Sequence, residues 1–127
     1  MPPVLDVEAI ERDSKIAPIP DVVAYLQEHL GGPAVAYLAG LTDTQILKKW
    51  REGTKPQGLT KQRLRCAYLA TRMLVETFDD ETAEAWFFGS SSKLDDEAPA
   101  RVLRTAHTYD DFRLVIPAVK AFARIPE

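Results

Sequence analysis

Cysteine is nearly absent: Cys66 stands alone in 127 residues, so no internal disulfide can form and a reducing compartment is implied. Histidine is scarce as well. His29 and His107 lie far apart, and with one thiol there is no zinc-type ligand spacing. No apolar run approaches the ~18 residues that would cross a bilayer. The opening MPPVLDVEAIERDSK is acidic and lacks the apolar stretch of a signal peptide, which points to a cytoplasmic location. There are no internal repeats and no low-complexity tract, and no strand pattern competes with the helical ones. What is present is a 46% hydrophobic, 28% charged chain, enough to build one core with a solvated surface. Cys66 sits within an apolar helical pattern and reads as a small buried hydrophobe rather than a nucleophile.

Charge is unevenly spread. The net of −3 is made of −4 over residues 1–42, +6 over 43–75, −7 over 76–111 and +2 over 112–127. A basic island in an acidic chain suggests an anionic partner for the island alone, set against the blander reading of a solvated helix surface.

Helical signals run almost end to end. Residues 1–18, with prolines at both ends, read as an N-terminal arm. In PDVVAYLQEHLGG, Val22, Val23, Leu26 and Leu30 share a face and Gly31 or Gly32 is the stop. Pro33 suits the first turn of PAVAYLAG, Thr42 is the expected cap of DTQILKKWRE, and Gly53 ends that helix. A long helix over 61–78 presents Leu64, Ala67, Tyr68, Thr71, Leu74, Val75 and Phe78 on one face. Asp79 or Asp80 caps ETAEAWFF, and Gly89 closes it. Pro99 opens PARVLRTA, and Thr108 with Asp111 forms a capping-box-like pair before FRLVIPAVKAFAR. Phe112, Val115, Ile116, Val119 and Phe122 make the apolar face of that last helix, in which Pro117 should produce a kink. The expectation is an all-α protein of six to seven helices: an arm (1–18), a unit over 19–78 ending in the long helix, and a small helical domain over 79–127.

In AVAYLAGLTDTQILKKWREG, Ala36, Gly40 and Ile46 have the spacing of a small contact residue, a turn glycine and an inward aliphatic residue. With I-x-x-W-x-x-G-x-x-x-P over residues 46–56, the stretch resembles a bacterial Xre-type helix-turn-helix. The resemblance implies that Thr44, Gln45, Lys48 and Lys49 face base edges. Asp43 is awkward beside phosphates, while Arg51, Lys55, Lys61, Arg63 and Arg65 are candidates for the DNA backbone. The competing reading keeps the fold as scaffold, with its charges merely solvated.

The acidic half carries a second resemblance. AEAWFFGSSSKLDDEAPARVLRTA followed by YDDFRLVIPAVKAFA is similar to the toxin-binding domain of Xre/MbcA/ParS-type antitoxins, through Trp86, Phe87, Leu94, Pro99, Leu103 and Thr105 in that order. Together the two resemblances span about residues 20–124. They imply a partner: a RES-domain toxin that consumes NAD and whose active site the antitoxin blocks. Asp95 and Asp96 depart from the family, which often has glycines there, and the ending ARIPE lacks the family's frequent final glycine.

Trp86, Phe87, Leu94, Leu103 and Val115 read first as core. Phe88, Lys120 and Arg124 are the candidates for toxin contact. The acids at 79–81 and 95–97 are explained by helix N-termini, and no nucleophile-plus-base arrangement supports an enzyme. No cofactor is expected. The alternative function is a stand-alone DNA-binding regulator without a toxin, and either role implies a homodimer or a larger hetero-oligomer with the toxin.

Overall fold

The computed structural model describes residues 5–126. Among them, eight helices of seven residues or more are joined by one single-turn helix and one 3-10 turn, with no strand. In chain order the helices are α1 Val7–Ile16, α2 Ile19–Leu30, α3 Gly32–Leu38, α4 Gln45–Arg51, α5 Thr60–Thr77, α6 Asp80–Phe88, α7 Pro99–Thr105, α8 Tyr109–Phe112 and α9 Val115–Ala123. The 3-10 turn, Ser92–Leu94, lies between α6 and α7.

The fold is organised around α5. Leu64, Cys66, Ala67, Tyr68, Leu69, Ala70, Thr71, Met73 and Leu74 are all buried, so the helix hides more than the single face its periodicity suggests. Its middle stretch, residues 66–71, is buried on every side and so lies at the centre, while the charged residues sit toward its two ends. Helices α1, α2, α6 and α9 pack on it. One continuous cluster of buried side chains runs from Ile10 to Val119, so both halves of the chain share a core.

Local signals account for most helix ends. Asp79 accepts from the Thr82 amide at 2.7 Å and caps α6, and Thr108 accepts from the Asp111 amide at 3.2 Å and caps α8. Gly31, at φ +87°, ends α2 and turns the chain directly into α3, a left-handed position that suits glycine. Pro117 does more than kink the last helix. Ile116 bonds back to Arg113 in a tight turn, and the expected single helix divides into α8 and α9 with Pro117 in the first turn of the second. There its missing N–H costs no helical hydrogen bond.

The N-terminal segment corrects the expectation of an arm. Residues 1–4 of that segment lie outside the described residues, but Val7–Ile16 is a helix that buries Ile10 and Ser14 against α5. Long-range polar contacts hold it. Asp13 accepts from Arg72 at 2.6 Å and from the Tyr68 hydroxyl, and Arg65 donates to the carbonyls of Ser14 and Ala17 at 3.1 and 2.9 Å. Its proline-flanked, charged sequence hid a helix whose stability comes from packing.

Candidate functional site

The segment expected as a helix-turn-helix forms α3 and α4. Ala36 is buried, and Gly40 adopts φ +84° in the turn. Two details differ from expectation. Helix α4 begins at Gln45 with Thr44 as its cap residue, not at Thr42, because the Asp43 carboxylate accepts from the Gln45 amide at 2.9 Å and shapes the entry. The fully buried side chain of α4 is Leu47, paired with Trp50 one turn on, while Ile46 is only half-buried. These two anchors seat α4 against α2.

Seating α4 on Leu47 and Trp50 leaves its other faces to solvent. Thr44, Gln45, Lys48, Lys49 and Arg51 are all exposed, as is Lys55 in the following loop. None of the four cations forms an ion pair among the described residues. Arg63 differs from these: its guanidinium donates to the Ala106 carbonyl and lies 5.9 Å from the Phe112 ring centroid, tying α5 to the α7–α8 junction. That bond holds the guanidinium at the edge of the core. Arg65 is likewise taken up by the end of α1.

Arg104 was not singled out by its sequence context. From α7 it donates to the carbonyls of Tyr37 and Leu41 at 2.7 and 3.1 Å, and its guanidinium stands 4.7 Å from the Tyr37 ring centroid. Helix α7 thus clasps the turn between α3 and α4. These partners are 63 and 67 residues away in sequence, so no local pattern announces them.

The expected toxin-contact residues meet different neighbours. Phe88 is exposed but leans on Tyr37 of α3, with ring centroids 5.7 Å apart. The ammonium of Lys120 lies 3.0 Å from Glu11 of α1, and its side chain is only 15% exposed. Arg124 ends α9 in a left-handed conformation, φ 58°, and is exposed.

A different feature of this half stands out. An open groove of about 650 Å³ runs between α6 and α9. Ala85, Trp86, Ala118, Ala121 and Phe122 line it, Asp79 and Glu81 stand at one end, and Ser90, Ser91, Ser92 and Lys93 stand at the other. Phe122 meets Phe78 edge-on at 5.6 Å and Trp86 at 6.4 Å. Phe78 and Phe122 remain 46% and 47% exposed. The apolar spacing of their helices predicts inward positions for both. Each stands at the end of its helix, beyond the reach of the core.

Nucleophilic chemistry finds no support at Cys66. The thiol is buried, and burial pushes its pKa up to about 11, the opposite of activation. No cluster of three or more potential metal ligands occurs among the described residues. No helix there is long and apolar enough to cross a membrane. The fold and surface define an all-α, single-core protein with an exposed basic helix and an apolar, acid-ended groove. Comparison with protein-family models, curated proteins and solved structures gave no match.

Proposed function

We propose that this chain is an antitoxin-like protein of the Xre/MbcA/ParS kind, which binds and inhibits a cognate RES-type, NAD-consuming toxin and represses its own operon by binding DNA. The observation that carries this reading is the separation of two unlike surfaces on one core: the cationic face of α4 and the apolar groove between α6 and α9. One suits a phosphate backbone, the other a protein. Toxin binding belongs to the C-terminal half, and inhibition requires no catalytic group or cofactor of the chain's own. The protein works in the cytoplasm beside both partners, with two copies spanning an operator.

Co-expression with the toxin gene adjacent to its own is the direct test. The expected result is restored growth, preserved cellular NAD and a complex that survives size-exclusion chromatography. Continued NAD loss with no complex would overturn the antitoxin role.

The second reading, a DNA-binding regulator without a toxin, is favoured by the free side chains of Gln45, Lys48, Lys49 and Arg51. Sequence-selective binding to its own upstream DNA, combined with no toxin complex, would establish it instead.

A further inference from the structure

The groove between α6 and α9 has the dimensions and lining of a seat for side chains along one face of a helix. Ala85, Ala118 and Ala121 keep it shallow, and Trp86 and Phe122 supply flat apolar area. The exposed pair Phe78 and Phe122 extends that area past the rim. About 650 Å³ is enough for several apolar side chains, the groove is open to solvent, and among the described residues no polar group without a partner is buried in it. An extended apolar trough of this kind matches helix-in-groove recognition, in which residues at i, i+3, i+4 and i+7 are the anchors.

Charge selects the helix. Of the four acids over residues 79–84, Asp79 caps α6 and Asp80 lies 2.7 Å from His29. Glu81, at the groove end, has no ion-pair partner among the described residues, while Glu84 is exposed on another face of α6 and does not line the groove. The cation of α9 that could offset them, Lys120, is turned to Glu11. Among the described residues lining the groove, Lys93 is the one cation and sits at the far end. We propose that the groove docks a basic amphipathic helix of the partner, its apolar stripe on Trp86, Ala121 and Phe122 and its Lys/Arg flank against Asp79 and Glu81 at the acidic end. That the partner is a toxin rests on the reading above; the preference for a basic helix rests on the groove itself.

The test uses the full chain and two kinds of probe. The first is a pair of synthetic amphipathic peptides of about 16 residues with identical leucine positions, one carrying lysines on its polar face and the other glutamates. The lysine peptide should bind and shift the amide resonances of α6 and α9 and not those of α4, and the glutamate peptide should bind at least about tenfold more weakly. Ala121→Arg, at an exposed position, should weaken the lysine peptide at least about tenfold and Glu81→Lys at least about threefold, each with unchanged melting temperature. Lys48→Ala should have no effect. Equal binding of both peptides, shifts elsewhere, or no binding at about millimolar peptide would overturn the proposal. The second probe is the purified product of the adjacent toxin gene. If it binds the wild-type chain and both groove variants equally well, the groove assignment fails while the antitoxin role stands. If it binds none of them while the lysine peptide behaves as expected, the toxin reading fails and the groove remains a site for basic helices.

Discussion

Asp95 and Asp96 show how a single departure from an expected pattern becomes physical. Both adopt left-handed backbone, φ 55° and 65°, in the loop where the resembled family often has glycine. A side chain there costs roughly 1–2 kcal/mol, of which glycine gives back about half through its freer unfolded chain. Neither carboxylate accepts a hydrogen bond among the described residues. Asp95→Gly or Asp96→Gly should therefore stabilise the fold by about 0.5–1 kcal/mol each, measured by urea unfolding. Cys66 gives a pH prediction. Its buried thiol has a pKa of about 11, so about one molecule in a thousand carries thiolate at pH 8 and native alkylation by iodoacetamide should be negligible there. Below the ordinary thiol pKa of about 8.5, both folded and unfolded thiols are protonated and this group leaves stability unchanged. Between that pH and about 11 the unfolded thiol ionises while the folded one does not, so stability falls as pH rises. Cys66→Ala should flatten that fall.

Among the elements, the α3–α4 pair depends on α7. Leu47 and Trp50 fix α4 on α2, while Arg104 fixes the turn before it by donating to Tyr37 and Leu41. Replacing Arg104 with methionine keeps the aliphatic stem and removes both charge-assisted bonds. The expected cost is about 2–3 kcal/mol by chemical denaturation. If the α3–α4 unit reads DNA, affinity should fall as well, although Arg104 itself need touch no phosphate. A loss of affinity with an unchanged salt slope would mark Arg104 as a positioning residue.

On the scale of the whole molecule, the two surfaces share a core but carry different charge. Each phosphate contact by an α4 cation contributes about −0.9 to the slope of log affinity against log salt. With Lys48, Lys49, Arg51 and Lys55 free and Arg63 and Arg65 engaged elsewhere, the slope per subunit should be about −3 to −4. Lys48→Ala should reduce its magnitude by about 0.9, whereas Arg63→Ala should leave it unchanged and lower stability by about 1–2 kcal/mol instead. Salt titration of operator binding, with urea unfolding of the same variants, separates the two roles. The absence of any binding at about 50 mM salt would leave α3–α4 as scaffold.

Much of this architecture was readable in the sequence because helix signals are local. Caps such as Asp79 and Thr108, the stop at Gly31, and the apolar spacing around Leu26 and Leu74 act within a few residues. They determined an all-α chain and most of its element order. The candidate surfaces were readable only in part, since exposed cations look alike until their neighbours are known. Lys48 and Arg63 are both basic helix residues, yet one faces solvent and the other is held by the Ala106 carbonyl. Lys120 is bound by Glu11, a residue of the segment that reads as an arm. Phe122 continues an apolar stripe but overhangs the end of the core. Tertiary structure alone decided these cases, because each is fixed by contacts between elements far apart in the chain, which sequence periodicity does not encode.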